Sequence, residues 1–241
     1  MNLTIVGTGT MGRIVRDMAL QNSGFEHVYN IEPALGEALT DGPAPDVIID
    51  FSHPGALSGI CQYAAEKQGR VGVVFATTGY SEEDEEKIKA LSALVPVIKS
   101  SNFSYGIHCL KKITAYASSL LEDCSDIEII EKHHNLKVDA PSGTAVTLAD
   151  VCDPSRQRHR KYGRCGEEKR KNEIGIHSIR GGTIFGEHTV IFAMKDEVIE
   201  VKHTAFSKKI FAKGAINAAL WLSGKEPGLY PLEEVFYVKR F

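Results

Sequence analysis

No cysteine pair at C-x-x-C spacing occurs in this sequence: its five cysteines, Cys61, Cys109, Cys124, Cys152 and Cys165, are odd in number and scattered. That excludes a disulfide framework or a zinc ribbon as the organising principle and suits reduced thiols in a cytoplasm. A basic excess is missing too. With 28 Lys and Arg against 31 Asp and Glu the formal net charge is −3, so a general nucleic-acid binder, which needs surplus cations to neutralise phosphates, is not expected. No apolar run approaches the length that spans a bilayer, and the opening MNLTIVGTG runs straight into an apolar strand without the charged lead-in of a signal peptide. Neither membrane insertion nor export is expected. Internal repeats and low-complexity tracts are also absent.

What is present is enough apolar sequence for a core. A chain of 241 residues with 43% hydrophobic content can build one large domain or two modest ones. The first half alternates short apolar runs with helical patterns: LTIV then 11–21, DVIIDF then 56–67, VGVVFATTG then 82–94, then VPVIKS. Such alternation predicts a parallel sheet with crossover helices. After Asn102 the texture changes to a long periodic stretch over 105–120, then IEIIE, then IGIHSIRGG, HTVIFAM and EVIEVKHTA with no helix between the last three. This predicts an α+β half with an antiparallel sheet. The reading is therefore an α/β domain over 1–104, an α+β domain over 105–214, and a tail of about 215–241 that folds back on the first.

Strand LTIV leads directly into Gly7-Thr8-Gly9-Thr10-Met11-Gly12, a G-x-G-x-x-G match, and a helical pattern starts at once. Glycines there permit a tight turn and close approach of the backbone to a pyrophosphate, and the helix N-terminus supplies oriented amides. Glu32 follows 20 positions beyond the last glycine, closing VYNIE, and is suited to accept hydrogen bonds from ribose hydroxyls. The prediction is a nicotinamide dinucleotide site. Because Pro33 rather than an arginine comes next, NADH is favoured, with NADPH left open by Arg13 and Arg16. Two further loops, Ala76-Thr77-Thr78-Gly79 and Ser100-Ser101-Asn102-Phe103, fall where strands should end, and ligands of open α/β sheets sit beyond those carboxyl ends.

The densest chemistry is in EKHHNLKVDAPSGTA, Glu131 to Ala145. Ser142 reads as the N-cap of a helix whose first residues, Gly143 and Thr144, offer backbone amides to an anion such as a carboxylate. Lys137 is a cation that can neutralise such a substrate or deliver a proton. His133 and His134 titrate near neutrality, so either can donate a proton to an atom left electron-rich by hydride addition. Taken singly the histidine and the cap are more readily a satisfied histidine and a plain helix cap, and the lysine can be read as a surface residue. Their concentration in one segment argues for a site. No metal is expected, because H-E-x-x-H is absent and no third ligand stands at useful spacing.

This segment, with VGTGTMGR, DFSHP, ATTGY, SSNFSYG, EIGIHSIRGG, GEHTVIF and ALWLSGKEPGLY in the same order, resembles the dihydrodipicolinate reductase family, also called 4-hydroxy-tetrahydrodipicolinate reductases, over nearly the whole chain. The resemblance implies an N-terminal Rossmann dinucleotide-binding domain and a C-terminal α+β domain for substrate binding and oligomerisation as a homotetramer. It implies a cytoplasmic oxidoreductase of the diaminopimelate route of lysine biosynthesis, reducing a cyclic imine dicarboxylate with NADH or NADPH. By the same resemblance His133 is the proton donor and acceptor, Lys137 a proton donor, His134 a substrate contact, and Gly143 with Thr144 a carboxylate clamp. Gly7 to Gly12, Glu32, Ala76 to Thr78 and Ser100 to Phe103 fall on the cofactor side. Closure of the two domains around the ligands would exclude water.

Two rival readings remain open at this level. A dehydrogenase of another small acid would keep the glycine turn without needing His133, His134 and Lys137 beside Ser142-Gly143-Thr144. A non-catalytic NAD-sensing module would bind nucleotide without turnover. The basic stretch Arg156 to Lys171 reads as a solvated, mobile face, and His177 and His188 as structural or substrate-adjacent.

Overall fold

The computed structural model describes residues 1–67 and 69–237. In chain order it forms β1 (Asn2–Val6), α1 (Thr10–Ala19), β2 (His27–Ile31), β3 (Val47–Asp50), α2 (Leu57–Glu66), β4 (Gly72–Phe75), α3 (Glu82–Ser92) and β5 (Pro96–Lys99). Then come α4 (Tyr105–Leu121), β6 (Asp126–His133), α5 (Gly143–Cys152), β7 (His159–Tyr162), β8 (Glu173–Arg180), β9 (Glu187–Ala193) and β10 (Val198–Thr204). The chain closes with α6 (Lys209–Leu222), β11 (Gly228–Tyr230) and α7 (Leu232–Tyr237). Two compact units result: Met1–Tyr105 with the chain from Lys208 onward, and Gly106–Ser207.

The first unit is the α/β layer that the alternation predicts. Its six strands lie in the order β11-β5-β4-β3-β1-β2, all parallel. Strand alternation sends Leu3, Ile5, Val47, Ile49, Val74 and Ile98 to the core shared with α1 and α6. Val6, Ile48, Val73, Phe75 and Val97 go to the opposite core, against α2 and α3. Burial on both faces is why these strands are continuously apolar. Since β1 lies between β2 and β3, strand order reverses there, and a crevice opens beyond the carboxyl ends. The chain re-enters this unit at Lys208 rather than near 215, because α6 is one helix whose buried Ala212, Ala215, Ile216, Ala218, Ala219 and Leu222 join the α1-side core.

The second unit holds a five-stranded sheet, β10-β9-β6-β8-β7. It is mixed rather than antiparallel: β9 runs against both β10 and β6, while β8 runs parallel to β6 and β7. The α5 crossover between β6 and β8 is what allows the parallel pair. Ile127, Ile129, Ile174, Ile176, Val190 and Phe192 pack one face of the sheet against α4 and α5. The basic stretch is also ordered, contributing β7, and its cations are engaged: Arg160 with Asp153, Arg164 with Glu128 and Glu173, Lys161 and Lys171 with Glu168. No helix among the described residues is long and apolar enough to cross a membrane.

Candidate functional site

In the first unit every sequence-predicted cofactor residue lies at the carboxyl edge of the sheet. The Gly7–Gly12 turn follows β1, Glu32 follows β2, Ala76–Thr78 follow β4 and Ser100–Phe103 follow β5. The turn is held shut by backbone contact. A Cβ on Gly12 would sit 1.8 Å from the Gly7 carbonyl oxygen, and one on Gly7, whose φ is +105°, would sit 2.4 Å from that of Phe51. Asn30 Nδ2 pins it further by donating to the Ile5 and Gly7 carbonyls at 3.1 and 2.8 Å. At Gly9, by contrast, a Cβ would meet nothing within 4 Å. As the N-cap of α1 it brings no side-chain cap, and no acidic residue stands in the first turn. The helix start is thus open to an anion.

Glu32 accepts from the Thr8 amide and hydroxyl at 2.9 and 3.1 Å and from the Ala34 amide at 3.3 Å. The Thr8 amide bond, foremost, holds its carboxyl below the usual carboxylate range. Glu37 stands next to it, accepting the Glu32 amide at 2.7 Å. Beyond these strand ends a cleft of about 440 Å³ is lined by Val6, Ile31, Leu39, Ile60 and Tyr63, with Glu37 at its side, an apolar slot of the kind a flat heteroaromatic ring fills. Open helix start, acidic acceptor and apolar slot together fit a dinucleotide.

The β4 and β5 loops are less exposed than the sequence suggests. Ala76 and Thr77 are buried, Thr78 is exposed, and Phe103 is a core residue packed on Phe51 with ring centroids 6.4 Å apart. Ser100 and Asn102 bond each other. A residue without any assigned role organises this edge: Asp50, fully buried at the end of β3, accepts from the Ser52 amide at 3.1 Å, from the Ser52 hydroxyl, and from the Tyr80 hydroxyl at 2.8 Å. The Ser52 amide also meets Thr77 Oγ1 at 2.9 Å, so the β3 and β4 loops form one bonded rim. Burial raises the Asp50 pKa despite these bonds. The signal available in sequence was an aspartate closing the apolar run VIID, a costly place for a charge.

In the second unit the two-residue period that puts Ile127 and Ile129 beneath α5 carries on to Glu131 and His133. Glu131 is fully buried. Its Oε1 accepts from the Ser142 amide at 3.1 Å and Arg180 Nη2 at 2.7 Å, and its Oε2 from Arg180 Nη1 at 2.8 Å and His133 Nδ1 at 2.5 Å. Burial would raise its pKa, yet the hydrogen bonds from Arg180, Ser178 and His133 prevail and bring it down to about 2. An ionised Glu131 only accepts, so His133 Nδ1 carries a proton and Nε2 is the ring's free position. That Nε2 lies where a side chain on Gly186 would begin, 3.2 Å from the would-be Cβ. Burial lowers the His133 pKa, Glu131 opposes the fall, and Lys137 and Arg180 deepen it.

Around this pair stand the other predicted residues. Ser142 is the N-cap of α5, its Oγ accepting the Ala145 amide at 3.3 Å and meeting His188 Nε2 at 3.1 Å. A Cβ on Gly143 would meet nothing within 4 Å, so the helix start is open at its first residue, with Thr144 next. Lys137 Nζ pairs with Asp139 Oδ1 at 2.7 Å; Asp139 is exposed, and such a pair is weak and exchangeable. The His134 carbonyl accepts the Lys137 amide at 3.1 Å, and its Nδ1 is buried with no partner among the described residues. His188, ring centroid 5.2 Å from that of His133, is kept neutral by burial, its pKa lowered to about 3. His177 stands apart, bonded to Glu128 at 2.7 Å. Among the described residues no group of three or more His, Cys, Asp or Glu side chains could hold a metal ion.

Glu131 and Arg180 are the members to which the sequence reading gives no role, while His188, read there as structural or substrate-adjacent, lies beside His133 and Ser142. Glu131 and His133 at i and i+2 on a strand share a face, which is a usable signal; Arg180 becomes visible only once β8 is known to pair with β6, opposite His133. Chemically, the cluster offers an amide-rich anion seat, a mobile cation and an oriented imidazole.

Comparison with known proteins finds matches to both halves of the chain. The family model for the dihydrodipicolinate reductase N-terminus matches residues 1–103, and that for its C-terminus matches residues 106–236. The 4-hydroxy-tetrahydrodipicolinate reductase of Clostridium novyi is 44% identical, covering 96% of each chain, and that of Staphylococcus haemolyticus is 44% identical, covering 98% of this chain and all of the other. Among solved structures, a dipicolinate-bound dihydrodipicolinate reductase from Paenisporosarcina sp. TG-14 superposes with a TM-score of 0.74 at 23% identity, over 96% of this chain and 97% of that one.

Proposed function

The chain belongs to the dihydrodipicolinate reductase family, and from that premise we propose that it reduces 4-hydroxy-tetrahydrodipicolinate, through dihydrodipicolinate, to tetrahydrodipicolinate in the diaminopimelate route to lysine. Loss of the 4-hydroxyl as water leaves a conjugated ring; one hydride and one proton then complete the reduction. The family is one of nicotinamide-dependent oxidoreductases, and the bound nicotinamide supplies the hydride. Gly7 to Gly12 would seat the pyrophosphate, Glu32 the adenosine ribose, and the Ala76–Thr78 and Ser100–Phe103 backbones the nicotinamide half. NADH is the preferred donor on this reading, because a 2′-phosphate beside Glu32 would meet the Glu37 carboxylate as well.

Hydride addition leaves an enamine-like anion that must be protonated. His133 is the proton donor on this reading. Glu131 holds its Nδ1–H, and a doubly negative substrate offsets the effect of burial on its pKa, so the ring gains a proton at Nε2 as the dianion arrives. Lys137 exchanges Asp139 for a substrate carboxylate and is the second proton donor. Gly143 and Thr144 amides grip the other carboxylate at the start of α5, where the helix dipole favours it, and His134 contacts the ring. A homotetramer working in the cytoplasm completes the proposal.

The observation that carries this reading is the joining of the open α5 start to the His133 ring through a single carboxylate, Glu131. Neither a dehydrogenase of an unrelated acid nor a nucleotide sensor calls for that arrangement. The test follows NADH absorbance while 4-hydroxy-tetrahydrodipicolinate is formed from pyruvate and aspartate semialdehyde. Substrate-dependent oxidation is expected, and its absence with folded protein would overturn the reading.

A further inference from the structure

The four donors on Glu131 are more than a buried ion pair needs. The carboxylate is wholly inaccessible, so it touches no ligand, yet two of its bonds go to the two halves of the proposed site: His133 Nδ1 on one oxygen and the Ser142 amide on the other. Arg180 grips both oxygens in a fork at 2.7 and 2.8 Å, a geometry that fixes the plane of the carboxylate. Arg180 Nη2 also donates to the Asp139 carbonyl at 2.6 Å, tying down the loop that bears Lys137. Buried ion pairs are poor stabilisers, since desolvation offsets their attraction. A pair kept here with every acceptor direction filled points to a role besides stability.

We propose that Arg180 and Glu131 form a positioning unit: Arg180 sets the carboxylate plane, and Glu131 then fixes the tautomer and direction of the His133 ring together with the first turn of the anion seat. The inference rests on the assignment of His133 as proton donor. Neither residue touches substrate; both act through His133 and Ser142. The charged and titratable groups facing His133 are Glu131 on its own strand, Arg180 from β8, His188 from β9 and Lys137 from the loop. Of these only Glu131 favours the imidazolium. Replacing it by glutamine leaves Arg180 and Lys137 disfavouring the proton, and an amide NH2 turned toward Nδ1 selects the opposite tautomer, with Nε2 no longer the free acceptor.

Nitrogen-15 NMR of histidine-labelled wild-type protein tests the premise without a variant. The Nδ1–H tautomer of His133 is expected, and the Nε2–H tautomer would overturn the inference. Glu131→Gln should lower kcat roughly a hundred-fold with NADH affinity within about twofold of wild type, and move the alkaline limb of the kcat profile down by about one pH unit. A merely structural pair makes a different forecast. In Glu131→Gln/Arg180→Met no lone charge stays buried, and thermal unfolding reports whether stability returns. If activity and the pH limb return with it, the positioning role is wrong; a double variant that melts like wild type but stays slow and pH-shifted supports it. Should the double variant fail to fold, Glu131→Asp decides, since it keeps the charge while drawing the carboxylate away from His133. A wild-type pH limb and kcat there would refute the proposal; loss of kcat with the NMR tautomer altered would uphold it. His133→Gln separates the levels. If it turns over like wild type, the donor assignment itself fails; if it is inactive while Glu131→Gln is fully active with an unmoved limb, only the positioning role falls.

Discussion

Asp50 and Glu131 are both fully buried carboxylates near the carboxyl end of a strand, one in each unit, and their surroundings drive them in opposite directions. Asp50 meets two hydroxyls and an amide, and burial raises its pKa. Glu131 meets a guanidinium fork, an imidazole and an amide, and falls to about 2. The contrast follows what each unit is proposed to hold. On the proposed reading the first unit meets an anionic dinucleotide with backbone amides at strand ends, whereas the second sets an imidazole with the fixed charges of Glu131 and Arg180. The first unit is therefore proposed to work through backbone geometry at strand ends, the second through side chains on one strand face.

Removing the imidazole puts the greatest stress on this contrast. His133→Gln should cost roughly 10²- to 10⁴-fold in kcat, as expected for loss of a positioned general acid. NADH affinity, read by fluorescence titration, should not move, because the residues proposed to hold the dinucleotide all belong to the other unit. Weakened NADH binding would mean that the division of labour is drawn in the wrong place.

Acid separates the two carboxylates next. The folded pKa of Glu131 lies below its ordinary value of 4.5, so its stabilisation is complete above that pH and disappears as the pH falls through about 2, a loss on the order of 3 kcal/mol. Asp50 has the reverse sign: its raised pKa gives a contribution that is full below its ordinary value of 3.8 and lost as the pH rises through the folded value. Hydrogen exchange followed from pH 5 downward should show β6 and β8 losing protection before β3 and β4. The opposite order would invert the assignment of charge to the two sites.

How much of this the sequence discloses also differs between the units. The first unit's parallel sheet and glycine turn are legible because each depends on residues close in sequence: a strand, its turn and the next helix. What is hidden there is exposure, since nothing in SSNF says that the Phe103 ring joins the core while Ser101 stays outside. In the second unit the histidine segment is legible as a cluster, yet its organisation hangs on register. Until β8 is known to lie parallel to β6, Arg180 is one of many basic residues; the pairing puts it across from His133. A run of strands without helices suggests antiparallel neighbours, and only the α5 crossover, which lies outside that run, makes β6 and β8 parallel.

A smaller effect, confined to the first unit, is expected from Glu32→Ala. Removing hydrogen bonds to a charged acceptor should weaken NADH by about 2 kcal/mol, close to thirty-fold, while kcat at saturating NADH changes little. The substitution also frees the Thr8 amide and hydroxyl, which Glu32 holds in the present structure. Calorimetric titration with NADH and NADPH tests both parts. Unchanged NADH affinity would detach Glu32 from the ribose, and a gain in NADPH affinity would support the view that carboxylates at this edge repel a 2′-phosphate.

The mildest substitution asks whether the anion seat of the second unit is an ordinary helix cap. Ser142→Ala removes the acceptor for the Ala145 amide and the partner of His188 Nε2, and loss of the cap alone costs about 1 kcal/mol of stability. Glycine is a tolerable N-cap residue, worth only a few tenths of a kcal/mol less than serine, so Ser142→Gly isolates the second bond. If the cap is all that matters, denaturant unfolding should find the glycine variant near wild type and the alanine variant lower. His188 Nδ1 is buried without a partner among the described residues, so losing the Nε2 bond would leave the ring with no hydrogen bond. A glycine variant clearly below wild type, with the alanine variant lower still by the difference in capping, is therefore the expected outcome, and it would make Ser142 a link between the helix start and the strand bearing His188, where a simple cap would end at α5.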